Sequence, residues 1–505
     1  MSEHLRALVV IIGIASLVFF MIERPCLSFV SPAEFKRWRN IWFASTLSAF
    51  LAMSFWLYML IASLIVLVGA RKYQNRTALF FLLLFVIPAG GIQIPGFGLI
   101  NYFFEINQPR LLAIVLLLPC FFTSQRLNIG VGRVSDWLFL AFIALTAILQ
   151  LRQTTVTDTA RFTFQLFLDS ALPYYVFSRS IKDIQAIRQT LLCFVIGCMV
   201  ISSLAIFEVL KHWLLFSSLT GVLGISTAGG YLDRSDIVRA IGPTGHPIAL
   251  GYTMMVAIGF YFYFMNNIES TVVKRAGLVL LVGGLVASLS RGPWLGTLAL
   301  IAVFAATGPN PVRTLIRLGI GGLSVLAFLA FIPGGHKVLD LLPFIGSVDA
   351  ANIEYRQKLF ENAMIVIQRN LWFGSIDYLN TPEMRELIQG EGIIDIVNSY
   401  IGIALSVGVA GLSLFILCFL STILYVLRAM RATSKWNLEL HTLGRAILAT
   451  MIAVIVTIAT VSSVFNISVI YWCLAGLSVA YARIVAETVQ AAYTNEFSIA
   501  QGVRT

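Results

Sequence analysis

Arginine, histidine and the carboxylates can grip an anion or move a proton, and a few of them stand at conspicuous places in this chain. Arg291 lies in Ser290-Arg291-Gly292-Pro293-Trp294, between two apolar runs and at a sharp turn set by Gly292 and Pro293. A charge so placed either snorkels to an interface or marks a functional site. Arg239 and His246 precede another apolar run, where Gly242, Pro243, Gly245 and Pro247 impose an irregular backbone that can hold a site. Arg356, near the start of a stretch of helical periodicity from Ile353 to Gln368, reads on its own as a solvated helix residue. Asp169 and Glu208 sit within apolar runs, where a buried, hydrogen-bonded structural role is the simpler reading.

The elements that must position these residues follow from composition. The 505 residues have a mean hydropathy of +0.88 and only 12% are charged, about half the ~25% of a soluble domain. A soluble globule is excluded. About fourteen apolar runs (12 to 14), from 7–22 and 45–69 to 446–464 and 467–482, predict an all-α, polytopic integral membrane helix bundle forming one membrane domain over 1–505. Two long polar segments, 211–246 and 334–398, form the large loops, the second with short helices, and a shorter stretch from Ala89 to Arg110 suits a re-entrant or interfacial segment. With both loops outside and both termini inside, Lys and Arg favour the inner side slightly, and clearly once the long loops are set aside. The segment from Glu23 to Trp42 fits worst, since Arg24, Lys36, Arg37 and Arg39 then lie outside; it is either an interfacial helix or the sign of a miscounted first span. The net charge of +11 sits mostly between apolar runs and leaves no nucleic-acid footprint. The six cysteines have neither a C-x-x-C pair nor a spacing with histidine suited to zinc, so no metal site is expected.

The order of three features resembles the bacterial O-antigen ligase and Wzy-type polysaccharide polymerase superfamily. They are Ser290-Arg291-Gly292 between two spans, a large outer loop bearing Arg356, and Asp395-Ile396-Val397-Asn398-Ser399-Tyr400 leading into Gly408-Val409-Ala410-Gly411. The resemblance covers 276–427 and extends to the outer loop at 231–251; the fuller wording around Arg291 and Asn398 looks most like exopolysaccharide polymerases. It implies a GT-C-like membrane glycosyltransferase of the bacterial inner membrane, inverting, independent of metal and of any cofactor, using a polyprenyl-pyrophosphate-linked glycan donor and a glycan acceptor on the periplasmic side. Other polysaccharide assembly proteins are further partners under this reading. O-antigen ligases usually carry histidine directly before the asparagine, where this chain has Val397. The absence of an Asp-x-Asp motif agrees with metal independence.

By the resemblance, Arg291 and Arg356 contact the pyrophosphate or donor sugar, with Arg239 as a third candidate and Ser290 beside them. A guanidinium fork at a low-dielectric interface suits a doubly anionic leaving group. The acceptor hydroxyl must lose its proton, and His246, Glu391 and Asp395 are equivalent candidates for the base. Asn398 and Tyr400 either orient a sugar or serve as helix cap and interfacial anchor. The leading expectation is polymerisation of lipid-linked repeats. Ligase-type transfer to a lipid or protein is the alternative, and a transporter of lipid-linked sugars comes second, without support from internal repeats.

Overall fold

The computed structural model describes residues 2–71, 75–98, 100–123, 130–152, 154–225, 232–234, 237–331, 350–389, 392–464 and 466–502. The architecture is the expected all-α membrane bundle. Among the described residues eight helices are long and apolar enough to cross a bilayer, and Phe55–Ala70, Gln108–Thr123 and Arg291–Ala306 are shorter apolar helices. Ile184–Lys211, Pro247–Asn267, Leu438–Ile458 and Ile467–Ala491 are mostly buried and form the centre, whereas Pro311–Phe328 lies on the outside.

The run drawn as 45–69 is two helices. Ser31, Pro32 and Glu34 form a complete capping box that starts Pro32–Leu51, and Ser54 caps Phe55–Ala70 by accepting the Leu57 N–H. Only the short break at 52–54 separates them. This changes the topology at the start of the chain. Trp213 donates from Nε1 to Glu3 at 3.1 Å, while Gln185 donates to the Phe29 carbonyl at 3.0 Å. Glu3–Cys26 therefore runs antiparallel to Ile184–Lys211, and Glu3 lies at the end from which the 211–246 segment emerges, not opposite it as a count of alternating runs requires. Glu34 meets Gln189 at the other end, while Phe50 packs on Phe216. The basic turns holding Lys36, Arg37 and Arg39 thus move to the end that carries Arg188, which resolves the misfit of Glu23–Trp42.

The stretch from Ala89 to Arg110, read as re-entrant or interfacial, contains an antiparallel hairpin, Gly91–Pro95 with Tyr102–Asn107, that leads into the helix starting at Gln108. Arg110 closes it, pairing with Asp169 through Nη2 at 2.7 Å and donating to the Glu105 carbonyl at 2.5 Å. Asp169 is thus a structural ion pair. Glu208, 1% exposed, accepts the backbone N–H groups of Leu215, Ile241 and Gly242 at 2.9 to 3.1 Å. It holds the 239–246 backbone onto the end of Ile184–Lys211.

Ser399–Thr433 is broken at Gly408 (φ 71°, ψ −173°). The segment after the outer helix Ala350–Arg369 fills the break: Leu371 and Trp372 carbonyls accept the N–H groups of Val409 and Ala410 at 2.8 and 3.1 Å, and Ser375 N–H donates to Leu405. Backbone groups in a bilayer must find partners within the protein, so this insertion fixes the outer helix to the mouth of the 399–433 helix.

Candidate active site

Five segments meet at one end of the bundle. The turn between Thr271–Ala287 and Arg291–Ala306 is the hub. Leu289 takes a left-handed conformation (φ 46°) and reverses the chain, so that Ser290 precedes and Arg291 opens the second helix. Trp294 Nε1–H donates back to the Leu285 carbonyl at 3.0 Å and locks the turn. A side chain at Gly251 would lie 2.7 Å from Ser288 Oγ and 3.0 Å from Pro293, and one at Gly292 would lie 2.7 Å from both Thr460 and Val461. The turn is therefore held between the 247–264 helix and the loop after Leu438–Ile458, with no room to spare.

Arg239 reaches this turn directly. Its guanidinium donates to Ser290 Oγ at 3.0 Å and to the Ser288 carbonyl at 3.3 Å, and the next residue, Ala240, donates its N–H to Ala287. Ser290, 2% exposed, donates its own hydroxyl hydrogen bond to the Ser288 carbonyl. His246 sits at the start of the 247–264 helix, its Nδ1 accepting the Ile248 N–H at 3.2 Å. Burial pushes its pKa down to about 4, helped by the Arg239 charge and opposed by Asp395. The ring is neutral at physiological pH, and with Nδ1 occupied as an acceptor its proton lies on Nε2.

Across the turn stands the outer helix. Arg356 makes a long contact at 3.5 Å to the Thr460 carbonyl; desolvation lowers its pKa, with Asp395 opposing. Asp395 Oδ1 accepts from Ser462 Oγ at 2.5 Å, and its backbone is bound on both sides by the Tyr355 hydroxyl, which donates to its carbonyl at 3.0 Å and accepts its N–H at 3.1 Å. The charges of Arg239 and Asp395 thus both act on His246 and that of Asp395 on Arg356, and Arg291 lies in the turn between Ser290, bound to Arg239, and Gly292, packed on the loop that Arg356 touches.

Asn398 and Tyr400 are occupied structurally. Asn398 Oδ1 caps the 399–433 helix by accepting the N–H groups of Tyr400 and Ile401, and the Tyr400 hydroxyl donates to the Ile455 carbonyl at 3.0 Å. Glu391 lies outside the described residues. Tyr355, Thr460 and Ser462 are not among the residues expected from sequence. An apolar run drawn as 446–464 absorbs Thr460 and Ser462, although the cluster Thr460-Val461-Ser462-Ser463 is a polar interruption that marks a loop.

No curated protein matches the chain. Residues 276–416 match the O-antigen ligase family. The match includes the Ser290–Gly292 turn, Arg356, Asp395 and Asn398, and it leaves Arg239, His246 and the 459–466 loop outside. Over residues 276–416 the chain is therefore similar to the O-antigen ligase family, which supports the resemblance to the O-antigen ligase and Wzy superfamily across that region.

Proposed function

We propose that this protein is a periplasm-facing membrane polymerase that joins polyprenyl-pyrophosphate-linked oligosaccharide repeats into a longer surface or exopolysaccharide. The family match supports glycan ligation or polymerisation at a membrane as the general activity. The observation that carries the finer reading is the meeting of Arg239, Arg356, Asp395 and His246 around the turn that bears Arg291. Guanidinium groups at that depth suit a leaving pyrophosphate, and a carboxylate beside them suits the attacking hydroxyl. The acceptor oxygen attacks the anomeric carbon, the bond from that carbon to the pyrophosphate oxygen breaks, and its electron pair leaves on the pyrophosphate between the arginines. The hydroxyl proton passes to Asp395, and direct displacement inverts the anomeric centre. His246, whose Nδ1 accepts the Ile248 N–H, holds its proton on Nε2, which suits it to donate to a sugar or phosphate oxygen.

Charge supports the periplasmic side for the site. The end opposite the site gathers Arg24, Lys36, Arg37, Arg39, Arg76, Arg179 and Arg188, which is the pattern of a cytoplasmic face. Ligase-type transfer is the second reading, favoured by the family description itself. Deleting the gene and analysing the lipid-linked glycan distinguishes the two. Accumulated single repeats support the polymerase, accumulated long chains support the ligase, and an unchanged glycan profile overturns both.

A further inference from the structure

Asp395 lies in the segment 393–398, which has no helix or strand to hold it. A carboxylate on such backbone drifts unless other groups fix it. Two do so here, from different parts of the chain. The Tyr355 hydroxyl, on the outer helix, takes both backbone groups of Asp395 at once. Ser462 takes the carboxylate oxygen, and its loop is itself pinned: Ser399 donates to the Val461 carbonyl at 2.8 Å and Ser463 donates to Ser399 at 2.7 Å. The Ser462 contact leaves Oδ2 to point elsewhere. Tyr355 is adjacent to Arg356, so the residue that grips the carboxylate's backbone and the residue that faces the leaving group ride on one helix turn.

We propose that Tyr355 and Ser462 are positioning residues that aim the Asp395 carboxylate at the acceptor hydroxyl and keep it in register with Arg356. The proposal rests on the reading of Asp395 as the proton acceptor. It assigns a role to a loop outside the matched family region, and it explains why a polar loop is packed tightly against the Gly292 turn. Removing either grip displaces the carboxylate without touching the donor's pyrophosphate contacts, and displacements of about 1 Å cost on the order of a hundredfold in rate.

The test uses the full-length enzyme in nanodiscs and, as probe, the lipid-linked repeats extracted from the deletion strain. Ser462→Ala and Tyr355→Phe are each expected to lower kcat by about ten- to hundredfold, with KM for the lipid-linked repeat within about twofold and unchanged thermal stability. Ser462→Thr, which keeps the hydroxyl, is expected to restore turnover. In an Asp395→Asn background, adding Ser462→Ala is expected to cost little more, because both changes act through one group. Failure of Ser462→Thr to rescue, a rise in KM that accounts for the loss, or full additivity with Asp395→Asn would overturn the positioning role. Near-native turnover of Asp395→Asn would instead overturn the reading of Asp395 as the proton acceptor, and an inactive wild-type enzyme would overturn the proposed function.

Discussion

At the scale of single residues the arginines carry the sharpest expectation. If Arg291 and Arg356 stabilise the leaving pyrophosphate, alanine at either position should lower the transfer rate by roughly a hundred- to thousandfold, or roughly 3 to 4 kcal/mol, at matched membrane levels. Lysine should rescue poorly, since it keeps the charge and loses the planar fork. Near-native turnover of Arg291→Lys would make that residue an interfacial anchor. His246 gives a pH expectation. Its folded pKa of about 4 lies below the usual value of 6.5, so the unfolded chain binds the proton first as pH falls. This contribution to stability is present above pH 6.5 and is lost as pH drops toward 4. The melting temperature of the detergent-solubilised protein should therefore fall less steeply between pH 6.5 and 4.5 in His246→Asn, which keeps a helix-capping acceptor, than in the wild type. The scattered histidines and missing Asp-x-Asp predict activity that survives excess chelator. Loss on chelation with rescue by magnesium would assign a different mechanism. Arg291 and Arg239 could be singled out from sequence because an arginine beside an apolar run is conspicuous, whereas Arg356 stood out only through the resemblance. Ser462 and Tyr355 could not, because a serine in a polar loop and a tyrosine within a helix are ordinary until their partner is known.

At the scale of elements, the site depends on a broken helix and a tight turn. Gly408 has a backbone conformation open essentially to glycine alone, and a side chain there would strike Trp372 and Phe373. A Cβ at Gly374 (φ 59°) would meet the Leu405 carbonyl at 2.5 Å. Gly408→Ala should destabilise the protein by about 1 to 3 kcal/mol or more and detach the outer helix from the mouth of the 399–433 helix. Size-exclusion yield and thermal unfolding report the first effect. The second predicts faster proteolysis between residues 370 and 398, and an unchanged cleavage pattern there would show that the insertion is not what holds the helix. The helix over 353–368 was legible from its periodicity, and it forms within Ala350–Arg369. Its docking was not, because the backbone hydrogen bonds that help fix it carry no side-chain signature and its apolar face, Leu359, Ala363 and Val366, does not name its partner, Ala404 and Leu405.

At the scale of the whole molecule, the direction of the first helix decides the topology. Cysteines at Ser2 and Asp377 should react with an impermeant thiol reagent from the same side of the membrane, and one at Ser434 from the other. Labelling of Ser2 and Ser434 from a common side would restore the simple alternating count. The sequence alone determined that the bilayer is the solvent, that the chain is helical, where the long polar loops fall and which short motifs resemble a known superfamily. These are local properties: hydropathy, periodicity and residue order are complete within a window of the chain. Tertiary structure alone decided that the run at 45–69 turns back on itself, since a break of three residues adds too little polarity to divide an apolar window. It alone also decided which groups meet. The pairs Arg239–Ser290, Tyr355–Asp395, Ser462–Asp395 and Arg356–Thr460 are 40 to 104 residues apart. Only the packing of helices that run in opposite directions brings their ends to the same depth, and no window of sequence contains that geometry.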